Sequence, residues 1–356
     1  MKIDFLVNSL VAGGAERVLV LLANFFDQKG HDVTIITFNE PEVFSANPTV
    51  KRIRLHDGSW KNHTLRSIKN LLNLYSRKEN RPDILMPFMT QTNFIGALIG
   101  KIYGIKVVSA EHNNHLRETD FIGKLARKYM YRISDALTVL TTFDKDFYEK
   151  KGVNVHVMPN PCTFEVFTES VRNRKKIILA VGDLNRYYHK GFDNLIPLIA
   201  PVLRKNEDWT LKLVGGGDDG TKLLKDLVKE HQIEDQVIFE GYSTRVGELM
   251  IESEIYVMPS RTEGLPMVLI EAFCKGMACI AFDCITGPSE IIEHNVNGLL
   301  IEDQNFDAMA KGLDMLMNDM PLRKRLAKEG VKSLGRFKID TIYENYLEIF
   351  NAILQK

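Results

Sequence analysis

The sequence has little of what marks a secreted, membrane-spanning or nucleic-acid-binding protein. Four cysteines occur in 356 residues, without a C-x2-C pair or a histidine at metal-ligand spacing, so we expect small buried thiols of a reducing compartment and no zinc site. No apolar run reaches the roughly 18 residues of a transmembrane helix, and charged residues interrupt the apolar N-terminus, which excludes a signal peptide. The 46 Lys and Arg balance 46 Asp and Glu, which argues against bulk nucleic-acid binding. These absences predict a cytoplasmic globular protein.

The length and the charge distribution both suggest two parts. A chain of 356 residues suits two domains of roughly 150 to 200 residues each. Residues 1–172 hold 23 Lys and Arg against 18 Asp and Glu, whereas residues 173–356 hold 23 against 28. A basic first half and an acidic second half indicate different partners, and a chance distribution is the alternative interpretation.

Short apolar runs alternate with longer helical stretches along the chain. Such runs suit parallel strands buried on both faces, and their alternation with helices predicts a doubly wound α/β fold. The predicted strands are residues 2–7, 32–38, 83–88, 106–110, 136–140, 155–159, 176–182, 210–216, 236–241, 254–260 and 277–283. A proline-containing polar stretch at 159–176 breaks the rhythm and predicts a linker. We therefore predict domains at 1–165 and 166–338, and an amphipathic C-terminal helix within 339–356 that packs back towards the first domain.

Three segments at predicted strand ends carry candidate ligand-binding residues. Gly13 and Gly14 lie between a strand and a helix, where free amides favour an anion. Arg186 and Lys190 follow the strand at 176–182 and are suited to clamp a diphosphate and stabilise a negatively charged leaving group. For the first segment the alternative is an ordinary turn, since it is neither G-x-G-x-x-G nor a P-loop, and for the second it is a solvated basic loop.

The third segment, PSRTEGLPMVLIEA at 259–272, is the most informative. Glu263 lies in a loop after a strand, and Glu271 lies eight residues later, about two turns into a helix. A carboxylate accepts two hydroxyl hydrogen bonds at once, which suits a ribose diol or a sugar ring. Paired carboxylates are often only a solvated helix face, but Glu271 stands among apolar residues and therefore needs a partner or a ligand.

The E-x7-E spacing within EGLPMVLIEA resembles the signature of the retaining glycosyltransferases of family four, which have the GT-B fold of two Rossmann-like domains facing a cleft. Weaker matches are GGAE at 13–16, KGFD at 190–193, the F-x-G strand end at 239–241 and the late NGLL at 297–300. The resemblance therefore covers nearly the whole chain.

The resemblance implies a role for each matching residue. Glu263 would contact the hydroxyls of the transferred sugar, Glu271 the ribose, and Lys190 the β-phosphate of the donor, near the Gly14 amide. His112, after the strand at 106–110, matches a histidine close to the donor sugar. The remaining residues of the predicted donor site are Gly13, Gly241, Tyr242, Gly264, Leu265 and Pro266.

One position departs from the family pattern. The family shows G-R-L shortly before the K-G, whereas this chain reads Gly182-Asp183-Leu184. The loop is also longer and contains Arg186, so we predict that Arg186 replaces the missing guanidinium. We expect no metal and no cofactor: Asp144 and Asp146 fit D-x-D only formally, at a probable helix start where acids cap.

Two basic segments of the first half concern the acceptor. Residues 60–81 and 124–132 combine Lys and Arg with apolar residues, and helices of this kind rest on anionic lipid and would attract a lipid diphosphate. The alternative is that the apolar faces pack in the core and the basic side chains are merely solvated.

We thus predict a peripheral, metal-independent transferase that moves a sugar from a nucleotide sugar, expected to be a UDP-sugar, to a glycan or an undecaprenyl-diphosphate-linked acceptor in bacterial surface polysaccharide (O-antigen or capsule) assembly. Closure of an interdomain cleft would exclude water. The alternatives are a nucleotide-sugar epimerase or hydrolase of the same fold, and a non-catalytic subunit that binds a partner, which Asp183 favours.

Overall fold

The structure is a computed structural model of the chain, and it describes residues 1–11, 13–40, 42–55, 62–167 and 174–355. The chain forms two compact units. Unit 1 consists of residues 1–161 and 337–356, and unit 2 of residues 162–336. The chain passes between the units at 161/162 and 336/337. The boundaries predicted from the sequence are 165/166 and 338/339.

Unit 1 is built on a parallel sheet. Its elements in chain order are β1 (Lys2–Val7), α1 (Gly14–Gln28), β2 (Asp32–Thr37), β3 (Lys51–Arg54), α2 (His63–Ser76), β4 (Ile84–Pro87), α3 (Thr90–Tyr103), β5 (Lys106–Glu111), α4 (Phe121–Lys128), β6 (Ala136–Val139), α5 (Thr142–Glu149) and β7 (Val155–Val157). The strand order is β3-β2-β1-β4-β5-β6-β7, and all pairs are parallel. Residues 3–7 of the interior strand β1 are all buried, and four of these five residues are apolar, as suits a parallel strand covered on both faces; the exception is Asp4.

Unit 2 repeats this plan with a second parallel sheet. Its elements are β8 (Lys175–Val181), α6 (Tyr187–Lys190), α7 (Phe192–Lys205), β9 (Thr210–Val214), α8 (Asp218–Glu230), β10 (Val237–Gly241), α9 (Val246–Glu252), β11 (Ser253–Met258), α10 (Met267–Cys274), β12 (Ala278–Phe282), α11 (Pro288–Ile291), β13 (Leu299–Ile301), α12 (Phe306–Asn318) and α13 (Met320–Lys332). The strand order is β10-β9-β8-β11-β12-β13. The predicted doubly wound α/β class is confirmed.

The C-terminal helix α14 (Ile339–Leu354) completes the core of unit 1. Its Tyr343, Tyr346 and Phe350 rings lie 4.9, 6.4 and 5.7 Å from the Phe26 ring of α1. Tyr343 also hydrogen-bonds His31 at 3.0 Å, which ties the helix to the start of β2. The helix α14 thus packs its aromatic side chains on α1 and covers Phe26.

The strand orders show where each unit offers a crevice. In unit 1 the order reverses between β1 and β4, and in unit 2 it reverses between β8 and β11. Open α/β sheets bind ligands outside the carboxyl ends of the strands at such points, because the helices on either side diverge there. A ligand site is therefore expected at the loops after these four strands.

The prediction that the cysteines are unpaired thiols is wrong for one pair. Cys162 and Cys274 are joined by a disulfide, with Cα atoms 7.4 Å apart, wider than is usual for bridged cysteines. Cys279 and Cys284 are free and buried, as expected. Because 112 residues separate the bridged pair, their spacing in the sequence carries no sign of the contact. Across the described ranges no helix is long and apolar enough to cross a bilayer.

Candidate active site

The loops after β8 and β11 bring a lysine and a glutamate together in unit 2. Lys190 ends α6, and Glu263 lies between β11 and α10. Lys190 Nζ donates to Glu263 Oε1 at 2.8 Å, and the two side chains are only 22% and 12% exposed. Ser260 Oγ donates to the same oxygen at 2.7 Å. Two of the predicted site residues therefore form one half-buried charged pair at the switch point of the sheet.

A glycine and an arginine hold α6 against the Glu263 loop. Gly191 caps α6 with φ +70°, and a Cβ there would stand 1.8 Å from the Pro259 carbonyl oxygen, so only glycine permits this approach. Arg261 pairs with both Asp193 carboxylate oxygens at 2.7 and 2.9 Å and lies 4.2 Å from the Tyr188 ring. Arg261 is not among the residues predicted from the sequence, because its partner is 68 residues away and appears only when the loops fold.

The turn after Glu263 is shaped by a third loop. Thr286 Oγ1 donates to the Glu263 carbonyl oxygen. A Cβ on Gly287, which has φ +95°, would stand 2.4 Å from the Gly264 carbonyl oxygen and 2.5 Å from Pro266 Cδ. Pro266 is the N-cap of α10, and Leu265 beside it is buried. The predicted residues 264–266 thus lie directly before the helix start, packed against the loop after β12.

Glu271 lies inside α10 and is 3% exposed. Thr163 Oγ1 donates to its Oε1, so the partner that a buried carboxylate requires is present, although the sequence does not indicate which residue it is. Tyr256 in β11 lies within electrostatic reach of both glutamates. Burial raises the pKa of its hydroxyl well above the usual value, and the charges of Glu263, Cys279 and Glu271 raise it further.

Glycines bring the loops after β8, β9 and β10 together. A Cβ on Gly215 would stand 1.8 Å from the Gly182 carbonyl oxygen, and the Gly215 amide donates to the Gly241 carbonyl at 2.9 Å. Tyr242 is 77% exposed beside Gly216. The run Gly215–Gly217 is not among the predicted site residues, although three consecutive glycines at the end of the strand predicted at 210–216 indicate a close approach of loops.

Asp183 and Arg186 lie at the edge of this group. Asp183 Oδ1 accepts the Asn185 amide at 3.0 Å and so caps the short helical turn 184–186, which explains why an acid is tolerated there. Arg186 is exposed, and within the described ranges its guanidinium makes no hydrogen bond or ion pair. The structure therefore leaves Arg186 free to meet a ligand without placing it against Lys190.

The predicted residues of unit 1 lie at two strand ends. His112 follows β5 and stacks on Phe88 at 4.9 Å, and its Nδ1 is buried without a hydrogen-bond partner among the described residues. Burial lowers the pKa of His112 to about 4, so the ring is neutral at physiological pH. Gly13 is the N-cap of α1, and Gly14 begins the helix and is exposed.

A cavity of about 350 Å³ opens in unit 1 at the β1–β4 switch point. Its wall comes from the ends of β1 and β4, the first turns of α1, α2 and α3, and the loop after β5. Gly13, Gly14 and His112 are not part of this wall, so the cavity was not predicted.

Acidic residues in the first turns of two helices, α5 and α8, serve the local structure. Asp144, in the first turn of α5, accepts the His115 amide and contacts His115 Nδ1, both at 2.7 Å. Asp218 and Asp219 lie in the first turn of α8, where acids complement the helix dipole. In the part of the chain that the structure describes, no group of three or more His, Cys, Asp or Glu is placed to hold a metal ion.

Chemically, unit 2 combines a cation with two acceptors of hydroxyl hydrogen bonds. Lys190 can stabilise negative charge on a departing phosphate, and Glu263 and Glu271 can each bind a diol. The exposed Tyr242, beside Gly241, follows the carboxyl end of β10, an edge strand that β9 separates from β8 in the same sheet.

Comparisons with known proteins show the family to which the chain belongs. The family model described as Glycosyltransferase Family 4 matches residues 12–165, and that described as Glycosyl transferases group 1 matches residues 163–333. The GalNAc-alpha-(1->4)-GalNAc-alpha-(1->3)-diNAcBac-PP-undecaprenol alpha-1,4-N-acetyl-D-galactosaminyltransferase of Campylobacter jejuni is 32% identical over 99% of this chain and 99% of its own length. The chain is a glycosyltransferase.

Solved structures place this glycosyltransferase in the GT-B fold. The apo lipopolysaccharide outer core galactosyltransferase WaaB matches 99% of each chain with a TM-score of 0.80 at 21% identity. The Anabaena protein Alr3699/HepE, solved in complex with UDP, matches 99% of this chain and 100% of its own with a TM-score of 0.79 at 18% identity. The predicted family and GT-B fold are confirmed.

Proposed function

We propose that this glycosyltransferase moves a sugar from a UDP-sugar, with retention and without a metal ion, to a hydroxyl of a glycan or undecaprenyl-diphosphate-linked glycan in bacterial surface polysaccharide (O-antigen or capsule) assembly. The observation that carries the proposal is the half-buried Lys190–Glu263 pair beside buried Glu271. The undecaprenol-linked acceptor named for the Campylobacter relative and the UDP bound by HepE support the two substrate classes.

Each group has one task in this proposal. Lys190 leaves Glu263 to bind the β-phosphate and stabilises the charge that grows on it as the glycosidic bond breaks. Glu263 then accepts hydrogen bonds from the hydroxyls of the transferred sugar, and Glu271 accepts those of the ribose. The departing phosphate oxygen takes the acceptor proton, so no protein base is required. Arg186 supplies a second positive charge at the diphosphate, in place of the arginine that the family has where this chain has Asp183.

The proposed donor is tested by measuring nucleotide release from UDP-, GDP- and ADP-sugars in the presence of EDTA, with and without lipid extract. We expect acceptor-dependent release of UDP and a loss of about 100-fold in kcat for both Lys190→Met and Glu263→Gln, the size usual for one electrostatic group. Lys175→Met is the matched control, because Lys175 pairs with Glu252 at a distance of 2.7 Å at the amino end of β8, opposite the strand ends that carry the site. Loss of release in EDTA would refute metal independence, and an inverted anomeric signal in the NMR spectrum of the product would refute retention.

Arg186 is tested separately. Arg186→Ala should weaken UDP-sugar binding about tenfold, the value of one exposed charge-assisted contact. Arg204→Ala serves as control, since the one side-chain partner of Arg204 among the described residues is the His231 carbonyl oxygen. Unchanged turnover in the Arg186 variant would show that this residue does not replace the missing arginine.

The proposed membrane contact belongs to α4 rather than to α2. The helix predicted within 60–81 spans 63–76, with 60 and 61 outside the described residues, and it buries Leu71 and Tyr75 in the core. By contrast, α4 and the turn after it expose aromatic and basic side chains together: Phe121 (74% exposed), Lys124, Lys128, Tyr129 and Arg132. Phe121, Lys124 and Lys128 share one helix face, which suits the interface of an anionic bilayer on the cytoplasmic side.

Vesicle sedimentation tests this contact. Vesicles containing phosphatidylglycerol should bind the protein, and pure phosphatidylcholine vesicles should not. Phe121→Ser with Lys124→Glu and Lys128→Glu should abolish binding, whereas Arg77→Glu with Lys78→Glu at the exposed end of α2 should not. The reverse pattern would assign the contact to residues 63–81.

A further inference from the structure

The first residues of unit 2, at 162–167, form a strap that contacts α10. At the far end of the strap, the Phe167 amide donates to the Cys274 carbonyl oxygen at 2.8 Å. Lys275 Nζ, just past the last turn of the helix, donates to the Glu165 carbonyl oxygen at 2.9 Å. Hydrogen bonds to main-chain groups therefore fix the far end of the strap to the C-terminal end of α10.

The near end of the strap makes two adjacent contacts with the same helix. Cys162 is joined to Cys274 by the disulfide. The next residue, Thr163, donates through Oγ1 to Glu271 Oε1. Glu271 and Cys274 are three residues apart and so share one face of α10. The covalent bond therefore holds the Thr163 hydroxyl beside the carboxylate and lowers the entropic cost of keeping it there.

The Thr163 hydroxyl occupies the group that the proposed function assigns to the ribose. Glu271 is 3% exposed, and one of its carboxylate oxygens already accepts a hydroxyl hydrogen bond from the strap. A ribose diol donates hydrogen bonds of the same kind, and it has little access to this carboxylate while the strap is in place. Ribose binding therefore displaces Thr163, and a link that holds Thr163 in place opposes the nucleotide.

The two bridged sulfurs differ in accessibility, which defines the route of thiol exchange. Cys162 is partly exposed, whereas Cys274 is fully buried, so a small thiol or disulfide reaches Cys162 first. The other two cysteines, Cys279 and Cys284, are buried as well. Burial raises the pKa of both of their thiols, so they stay protonated and unreactive.

We propose that Cys162 and Cys274 form a modification site for small-molecule disulfides, and that the resulting bridge weakens nucleotide binding at Glu271. The inference rests on the proposed function, in which Glu271 binds the ribose, and adds redox control to that site. Under reducing conditions the two thiols are free and the near end of the strap yields to the ribose. Under oxidising conditions the bridge holds Thr163 on the carboxylate.

The exchange proceeds in two steps. The Cys162 thiolate attacks one sulfur of the small disulfide, so a mixed disulfide forms and one thiolate leaves. The Cys274 thiolate then attacks Cys162 Sγ and displaces the second thiolate. Both protein thiols are thereby oxidised, and the small disulfide is reduced to two thiols that take up the two protons. A small dithiol reverses both steps.

The test compares nucleotide binding by the full chain in its two redox states, prepared with glutathione disulfide and with dithiothreitol. Alkylation after denaturation counts the free thiols, and isothermal titration calorimetry measures the affinity for UDP, GDP and ADP, which carry the same ribose. We expect the oxidised protein to have lost the Cys162 and Cys274 thiols and to bind the nucleotide about tenfold more weakly, the effect of one hydrogen bond to a charged group. Cys162→Ser should bind like the reduced protein under both conditions.

Thr163→Ala separates the bridge from its effect. This variant should still form the bridge, yet it should bind the nucleotide equally in both states, because the hydroxyl that occupies Glu271 is gone. Cys279→Ala is the matched control, since Cys279 is a buried, unbridged thiol of the same unit, and this variant should keep the full redox response.

Three results would overturn the inference and leave the proposed reaction intact: no loss of thiols with glutathione disulfide, nucleotide affinity in the bridged protein equal to or higher than in the reduced protein, or a Thr163→Ala variant with the full redox response. Redox-dependent binding of GDP or ADP in place of UDP would keep the inference and reject the proposed donor.

Discussion

Asp4 places a carboxyl group in the central strand of unit 1, where water cannot solvate its charge. The side chain is 2% exposed, and Tyr75 donates to its Oδ2 at 2.7 Å, while Oδ1 has no partner among the described residues. Burial raises the pKa of Asp4 to about 6, against the lowering effects of Tyr75, Lys2 and Thr34. The folded state therefore holds this proton to a higher pH than the unfolded chain does.

Asp4→Asn should stabilise the protein at neutral pH. Between pH 4 and 6 the folded state binds the proton more tightly than the unfolded state, so stability falls as the pH rises through this window and is lowest above pH 6. Removing the charge should raise the free energy of unfolding by about 2 kcal/mol at pH 7.5 and by almost nothing at pH 4. Urea unfolding at the two pH values measures this, and an equal effect at both would contradict it.

His112 should titrate far below an ordinary histidine. Its pKa of about 4 means that the unfolded chain binds the proton more readily between pH 4 and 6.5, so this residue's contribution to stability is lost as the pH falls through that range. Nitrogen-resolved NMR of the imidazole should show a neutral ring down to about pH 5. A midpoint near 6.5 would show that the ring is solvated and not packed on Phe88.

At the scale of single residues, the sequence predicts which residues carry the chemistry better than it predicts which residues they contact. Glu263 and Lys190 were recognisable because a motif carries them, and the structure brings them to 2.8 Å. Arg261 and Thr163 were not, because a side chain's partner far along the chain depends on loop geometry that no local pattern encodes. The role of Arg186 stays a prediction.

At the scale of elements, Gly191 makes the clearest prediction. Gly191→Ala adds a Cβ 1.8 Å from the Pro259 carbonyl at a positive φ, so the loops that carry Lys190 and Glu263 must separate. We expect a loss of about 3 kcal/mol of stability, measured by thermal unfolding, together with loss of UDP binding. Gly152→Ala, at φ +73° with nothing within 4 Å, should cost only about 1 kcal/mol and leave UDP binding intact. Similar losses in both would show that φ alone matters.

Buried strands were predictable from their apolar runs, as were the edge strands β7 and β10, whereas the edge strands β3 and β13 were not. The strand β3, sequence KRIR, is polar because it lies at the sheet edge, where Arg52 and Arg54 pair with Glu42 at 2.6 and 2.7 Å. At the other sheet, the three residues of β13 are too few to form a pattern. For the basic helices, charge did not distinguish α2 from α4, because both carry Lys and Arg and only packing decides which face is free.

At the scale of the whole molecule, unit 1 depends on a segment that follows unit 2 in the chain. Phe350 is fully buried and lies 5.7 Å from Phe26. Phe350→Ala should lower the free energy of unfolding by about 3 to 5 kcal/mol, the usual cost of a buried phenylalanine. Asn351→Ala, at the exposed neighbour, should change it by less than about 0.5 kcal/mol. Chemical denaturation followed by circular dichroism compares the two, and equal effects would show that α14 is not part of the core.

Because α14 belongs to unit 1 but follows unit 2 in the chain, unit 1 cannot complete its core until unit 2 has been synthesised. Residues 1–161 of unit 1 are synthesised before unit 2, yet α14, which covers Phe26, emerges only after all of residues 162–336. Unit 2 is continuous in sequence and completes its core as the chain elongates. While unit 2 is being made, the nascent chain therefore exposes the aromatic surface around Phe26 that α14 later covers. A chaperone that binds exposed apolar surface has its largest target during this interval.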